Sequence, residues 1–164
     1  NTTPFESADL TQIAAEVVEY VELMASENDQ HISIEGELTA PGDPLMLRRA
    51  ITNLLTNAVR YSQPKAHIFL ILSAEPGHAV IRVVNPFGEP LAKTEINRLF
   101  DRFSRRSPDQ LNQNAGLGLG LSIVQSIMRV HGGQATAGLE SGQFWVQLRW
   151  PIVERLVGQR GASE

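Results

Sequence analysis

The sequence predicts an α+β fold, a two-layer α/β sandwich in which helices cover one face of a mixed, mostly antiparallel sheet. Apolar residues repeat at helical spacing in three long segments, and shorter segments alternate between apolar and polar residues. The alternating segments come in pairs joined by short turns, which indicates hairpins. Helices with a single apolar stripe need a surface to cover, and one face of such a sheet provides it.

Length and composition indicate one globular domain. The chain has 164 residues, of which 42% are hydrophobic and 20% charged. We expect the domain to occupy residues 1–151 and a weakly patterned tail to occupy residues 152–164. The chain has no cysteine, which excludes a disulfide framework and thiolate metal sites. The net charge of −4 argues against a nucleic-acid partner.

No apolar run approaches the ~20 residues of a membrane-spanning helix, and the first ten residues lack the pattern of a signal peptide. We therefore expect the segment itself to be soluble and monomeric. It does not begin with methionine, which suggests a piece of a longer protein.

The first half of the chain predicts two helices and one strand. Asp9 is a suitable N-cap for a helix whose apolar stripe begins at Leu10, and residues 31–38 indicate a strand. Asp43 and Pro44 suit the N-cap and first position of a second helix over residues 44–61.

The second half predicts two hairpins and a third long helix. Strands are expected over residues 66–72 and 79–84, with a tight turn at residues 75–78. A short amphipathic helix around residues 96–103 and a polar loop over residues 104–114 precede a helix over residues 119–130. A last hairpin ends at Pro151.

One side of the second helix combines amide, guanidinium and phenol groups. Asn53, Asn57, Arg60 and Tyr61 share this side, whereas aliphatic residues occupy the other. Asparagine oxygens bind Mg²⁺, and arginine binds phosphate through paired N–H groups. The row therefore suits one wall of a magnesium and phosphate site, although a solvated polar face has the same pattern.

Three alternating glycines, Gly116, Gly118 and Gly120, stand where the polar loop passes into the third helix. They permit close approach of a ligand to the backbone, and the helix N-terminus favours an anion. A flexible hinge or a tight helix entry is the alternative. The segment is not GxGxxG, and no GK[ST] of a P-loop follows.

These motifs, in this order, resemble the histidine kinase ATPase superfamily. NLLTNAVRYS at residues 53–62 is similar to its N box, LFDRF at 99–103 to its F box, and GLGLGLSIV at 116–124 to its second glycine box. The resemblance covers residues 9–151, including the helix end at His131. It implies the Bergerat-type ATP-binding fold, with ATP and Mg²⁺ held between the helices under a lid.

The resemblance also assigns roles. Asn57 corresponds to the Mg²⁺ ligand, Asn53, Arg60 and Arg105 to catalytic positions, and Tyr61 to an aromatic residue beside the nucleoside. Further nucleotide-binding positions are the F-box aromatic and the second glycine box: Phe100, Gly116, Leu117, Gly118, Leu119 and Gly120.

The first glycine box departs from the pattern. Asn85 stands where the family has an aspartate that accepts the adenine amino group, and Gly88 is the single matching glycine. An amide oxygen still accepts that hydrogen bond, but without charge assistance. Asn-Pro at this place, with LFDRF following, resembles the sensor kinases for copper, silver and other heavy metals.

The implied reaction is transfer of the ATP γ-phosphoryl group to a histidine on a separate dimerisation domain, with relay to a response regulator. The implied parent is a homodimeric inner-membrane sensor kinase whose ATP-binding domain is cytoplasmic. The altered first glycine box leaves a nucleotide-binding module without kinase activity as an alternative. An ATPase or serine kinase of the superfamily is a second one, which Asn53 disfavours because the ATPases carry a water-activating glutamate there.

The four histidines, His31, His67, His78 and His131, lack the neighbourhood of the family's phospho-accepting box. They are too scattered to predict a metal site. His131 falls at a helix end, where a positive charge is favourable.

Overall fold

The computed structural model describes residues 5–86 and 115–152, and within residues 115–120 it describes the backbone alone. The helices of this part of the chain are α1 (Leu10–Ser26), α2 (Pro44–Tyr61) and α3 (Ala115–Val130). Its strands are β1 (Ser7–Asp9), β2 (His31–Glu35), β3 (Thr39–Pro41), β4 (His67–Glu75), β5 (His78–Pro86), β6 (Gln134–Glu140) and β7 (Gln143–Pro151).

Five strands form the main sheet in the order β2-β4-β5-β7-β6. The β2–β4 pair is parallel, with His31 opposite His67, and the other three pairs are antiparallel. The prediction of a mixed, mostly antiparallel sheet is therefore confirmed. A second, two-stranded sheet joins β1 to β3 and was not predicted.

The core lies between this sheet and the three helices. Strand residues alternate between the faces, so that Ile68, Leu70 and Leu72 of β4 are buried while their neighbours are more exposed. β5 and β7 repeat the alternation, with Ile81 and Leu148 fully buried. α2 packs between α1 and α3, so the helices form one layer over one face of the sheet.

Both predicted N-caps are present. The Asp9 carboxylate accepts a hydrogen bond from the Gln12 backbone N–H at 3.0 Å, and the Asp43 carboxylate accepts one from Met46 N–H, also at 3.0 Å. Pro44 takes the first helical position, where its missing N–H removes no helical hydrogen bond. These local signals fix where α1 and α2 begin.

The predicted strand over residues 31–38 is too long, because β2 ends at Glu35. Gly36 then adopts φ +87°, and a Cβ at this position would lie 2.1 Å from the carbonyl oxygen of Leu72. Only glycine permits this turn beside β4. The first predicted hairpin is confirmed, but its strands extend to the two-residue turn at Pro76 and Gly77.

The third long helix begins earlier than predicted. α3 starts at Ala115, so Gly116 and Gly118 do not precede the helix but belong to its first turn. Glycine costs a helix about 1 kcal/mol relative to alanine at each interior position, which is why the sequence favoured a loop here. The predicted helix around residues 96–103 and the predicted loop over residues 104–114 lie outside the described residues. No described helix has both the length and the apolar character needed to span a membrane.

Candidate functional site

The topology brings the predicted site residues that the structure describes to one end of the fold. The end of α3 touches the start of α2, because Asp43 N–H donates to the His131 ring at 3.1 Å. Since the two helices pack along each other, they run in opposite directions. The start of α3, with its glycines, therefore lies at the end of the fold where α2 finishes.

Asn85 belongs to the same end. It is the last residue but one of β5, directly after Val84, which pairs with Phe69 near the start of β4. β4 in turn starts shortly after α2 ends. Asn85 is only 2% exposed and shares the helix-facing side of β5 with the buried Val83. Its amide nitrogen donates to the Pro86 carbonyl at 3.3 Å.

The amide row of α2 lies beside the buried face of the helix and not on the side opposite to it. Asn53 and Asn57 are half-buried, and their neighbours Ala50 and Leu54 are fully buried. An α-helix has 3.6 residues per turn, so the row of Asn53 and Asn57 lies on the helix surface directly next to the side that faces the core. The expectation that aliphatic and polar groups occupy opposite sides is therefore corrected to adjacent sides.

Two amide nitrogens in this row are buried without a hydrogen-bond partner in the described part of the chain. They are Nδ2 of Asn53 and Nδ2 of Asn57, one helical turn apart. A buried donor left unpaired costs about 1–3 kcal/mol, and folded proteins contain few of them. Two such groups at i and i+4 on one helix leave two N–H donors available to a ligand.

Arg60 and Tyr61 complete the row at the exposed end of α2. Arg60 is exposed, and 39% of Tyr61 is accessible. Neither side chain makes an ion pair or ring contact in the described residues, so the guanidinium and the phenol ring are both accessible. Three predicted site residues lie outside the described residues, and these are Gly88, Phe100 and Arg105.

The start of α3 supplies backbone donors at this end of the fold. The first four N–H groups of a helix have no partner within the helix, and the helix dipole makes this end electropositive. In α3 these groups belong to the segment that begins at Ala115 and contains Gly116 and Gly118. Such an end binds a phosphate group without requiring a basic side chain.

His131 has a different role from the one expected at a helix end. It is 5% exposed, and its Nε2 accepts the Asp43 N–H. Its Nδ1 lies 2.8 Å from the carbonyl oxygen of Ile127, so Nδ1 donates there. A ring that donates through one nitrogen and accepts through the other is the neutral tautomer. His131 therefore carries no positive charge in this structure and instead joins α3 to the start of α2.

Three polar residues are buried in the described part of the chain, namely Gln30, Asn85 and His131. Of these three residues, only Asn85 was predicted from the sequence to belong to the site. Gln30 was missed because its partners are about thirty positions away in the sequence, and no local pattern reveals them. In residues 5–86 and 115–152, no three His, Asp or Glu side chains come together as metal ligands.

Comparisons with known proteins identify the family. The model of the family described as "Histidine kinase-, DNA gyrase B-, and HSP90-like ATPase" matches residues 42–154. Sensor protein CzcS of Cupriavidus metallidurans is 37% identical over 148 residues, which are 89% of this chain and 30% of that protein. The chain thus spans about a third of the length of this relative.

Solved structures show the same fold. The catalytic domain of histidine kinase ThkA matches with a TM-score of 0.76 at 19% identity, over 92% of this chain and 98% of that one. Histidine kinase ThkA in complex with response regulator protein TrrA matches with a TM-score of 0.72 at 16% identity, over 92% of this chain and 42% of that one. Family model, relative and fold agree, and the chain belongs to the histidine kinase-, DNA gyrase B- and HSP90-like ATPase family.

Proposed function

We propose that this chain is the ATP-binding catalytic domain of a sensor histidine kinase. It binds ATP with Mg²⁺ and delivers the γ-phosphoryl group to a histidine on a separate dimerisation domain. The observation that carries the proposal is the pair of buried, unpaired amide nitrogens of Asn53 and Asn57 on the helix that ends beside the start of α3. Family membership supports the choice of nucleotide as ligand.

The residues of α2 fit a magnesium-bound phosphate. The Asn57 side chain offers a carbonyl oxygen, which is a ligand type that Mg²⁺ accepts, and an N–H donor that has no partner in the described residues. Asn53, one turn earlier, offers the same two groups. Bound Mg²⁺ neutralises charge that develops on the phosphate oxygens. Asn57 is the ligand we assign to it, and Asn53 orients the phosphate chain.

Arg60 and the start of α3 provide the positive charge of the site. Arg60 is exposed at the end of α2, where its planar guanidinium can donate two parallel hydrogen bonds to a phosphate. The backbone N–H groups from Ala115 to Gly118 donate from the opposite side. Positioning and charge stabilisation supply most of the catalysis in phosphoryl transfer, so this domain needs no nucleophile of its own.

Asn85 and Tyr61 are the groups that we assign to the nucleoside. Asn85 is buried on the helix-facing side of β5, and its amide nitrogen already donates to Pro86. Its amide oxygen is then the atom that accepts a hydrogen bond from the adenine amino group. Tyr61 provides an accessible ring and hydroxyl at the end of α2. The proposal also includes Phe100, Gly88 and Arg105, with the roles that the family resemblance implies for them.

The partners follow from the same reaction. The dimerisation domain of its own kinase supplies the histidine, and the receiver domain of a response regulator takes the phosphoryl group; the ThkA–TrrA complex is a solved example of a kinase with its regulator. The parent is proposed to be a homodimeric inner-membrane sensor of the heavy-metal subgroup, with this domain in the cytoplasm. CzcS, a sensor protein, supports the choice of a sensor.

Calorimetric titration with Mg-ATP tests the proposal, followed by incubation with radiolabelled ATP and a supplied dimerisation domain. We expect micromolar binding and a labelled histidine. Asn57→Ala should weaken Mg-ATP binding by at least about tenfold, since even outer-shell partners of a metal contribute that much. Asn28→Ala is the matched control, because Asn28 is exposed in the turn after α1. Absence of binding at millimolar Mg-ATP by the unaltered chain would overturn the proposal.

A further inference from the structure

Gln30 is a buried polar residue between α1 and β2 whose side chain reaches the end of α2. It is 3% exposed. Its Nε2 lies 3.1 Å from the carbonyl oxygen of Val59, 3.2 Å from that of Ser62 and 3.2 Å from that of Gln63. These three oxygens can only accept, so Nε2 must be the atom that faces them, and the orientation of the amide is fixed.

In the sequence, the Val59 carbonyl comes directly before Arg60 and Tyr61, and the other two carbonyls come directly after them. The last four carbonyl groups of a helix have no partner within the helix, and Val59 contributes one of them. Ser62 and Gln63 follow directly after α2 ends. Gln30 therefore acts as a C-terminal cap supplied from a distant part of the chain, and it holds the backbone before and after Arg60 and Tyr61.

The surrounding backbone makes this cap rigid. Gln30 N–H donates to the Ala25 carbonyl at 2.9 Å, which ties the residue to the last turn of α1. The next residue, His31, donates through its backbone N–H to Ala66 at 3.0 Å, and Lys65 N–H donates to Asn28 at 2.9 Å. The segment after α2 and the segment after α1 are thus joined by backbone bonds on either side of the Gln30 amide.

We infer that Gln30 is a positioning residue: by holding the Val59, Ser62 and Gln63 carbonyls it orients Arg60 and Tyr61 toward the nucleotide without touching the nucleotide itself. This inference rests on the proposed function, because it concerns residues assigned to nucleotide binding. It adds a residue that the motifs of the family do not contain. A change at Gln30 is expected to alter nucleotide affinity through Arg60 and Tyr61.

Gln30→Met tests the inference, because methionine has a similar size and lacks the N–H donors. We expect the folded variant to bind Mg-ATP about tenfold more weakly by calorimetry, in the range found for residues that orient a ligand-binding group. Gln12→Met is the matched control, since Gln12 is an exposed glutamine on α1 that bonds Glu16. It should bind with unchanged affinity. Circular dichroism and urea unfolding establish that each variant is folded.

A double-mutant cycle with Arg60→Ala separates positioning from general destabilisation. If Gln30 acts through Arg60, the combined loss of affinity is smaller than the product of the two single losses. In the reconstituted reaction, the KM for ATP should rise and kcat should fall as well, because Arg60 is assigned both to phosphate binding and to charge stabilisation. A destabilised core variant such as Ile32→Val should show neither effect.

Three outcomes are decisive. The positioning role would be overturned if folded Gln30→Met bound Mg-ATP with unchanged affinity. It would also be overturned if the double variant with Arg60→Ala lost affinity by the full product of the two single losses. Both results would leave the proposed function intact. Absence of Mg-ATP binding by the unaltered chain would instead overturn the proposed function. If Gln30→Met does not fold, Gln30→Asn takes its place, because it keeps a neutral amide but is one methylene shorter, so its nitrogen lies further from the three carbonyl oxygens. The same affinity loss and the same coupling with Arg60→Ala are then expected.

Discussion

Replacing His131 with phenylalanine removes two hydrogen bonds while keeping an aromatic ring of similar shape. The ring of His131 stacks on Phe5 at a centroid distance of 4.5 Å and meets Trp150 edge-on at 6.1 Å, and a phenyl ring can keep both contacts. The perturbation is therefore confined to the bonds with Asp43 and Ile127. It tests whether a neutral histidine joins α3 to the start of α2.

The magnitude follows from what each partner retains. Asp43 N–H has no other partner in residues 5–86 and 115–152, so it is left unpaired at a cost of about 1–3 kcal/mol. The Ile127 carbonyl still accepts the backbone N–H of residue 131 at 3.2 Å, so the second loss is only about 0.5–1.5 kcal/mol. Together the free energy of unfolding should fall by about 3 kcal/mol. For a chain of 164 residues this lowers Tm by about 6–12 °C.

Urea unfolding followed by tryptophan fluorescence measures the loss. His31→Phe is the control, because His31 is exposed on β2, and its unfolding free energy should change by less than about 0.5 kcal/mol. If His131→Phe lost less than about 1 kcal/mol, the two bonds would not stabilise the contact between α2 and α3. The neutral tautomer assigned to His131 would then lack support.

Two further predictions concern β2 and α1. Gly36→Ala should lower the free energy of unfolding by more than about 2 kcal/mol, since it combines positive φ with a clash against the Leu72 carbonyl. Gly77→Ala, which has positive φ and open space, should lose about 1 kcal/mol, and equal losses at the two sites would contradict the clash. The hydrogen bond from Arg48, with a second from Gln12, lowers the pKa of Glu16 below its ordinary value. The stability that the ionised Glu16 carboxylate contributes is fully present above its ordinary pKa. This stability is lost as the pH falls through the lower pKa of the folded state. Glu16→Gln should therefore reduce the urea midpoint at neutral pH but not in acid, and an equal reduction at both would refute the ion pair.

The sequence was informative wherever structure depends on near neighbours. Asp9 and Asp43 marked the starts of α1 and α2 because a cap acts within three residues. The Pro76–Gly77 turn was likewise predicted from adjacent residues. The parallel pairing of β2 with β4 and the small sheet of β1 with β3 were not predicted, because they join residues 30 to 36 positions apart in sequence.

The candidate site shows the same division. The spacing of Asn53 and Asn57 predicted a shared helix side, but their half-burial beside Ala50 depends on how α2 packs against the rest of the fold. Gly116 and Gly118 were expected to precede α3, because glycine has low helix propensity, and the structure includes them in the helix. Gln30 carries no local signal at all, since its hydrogen-bond partners are three carbonyls that folding brings to it.

The most direct test of the site is nuclear magnetic resonance of the asparagine side-chain amides in the presence of a non-hydrolysable ATP analogue. If Asn53 and Asn57 hold the magnesium-bound phosphates, their NH₂ signals should shift on addition of the analogue with Mg²⁺, and the Asn57 signal should shift less when Mg²⁺ is omitted. The exposed Asn28 should not respond. Binding of the analogue that leaves both the Asn53 and Asn57 signals unchanged would contradict the account.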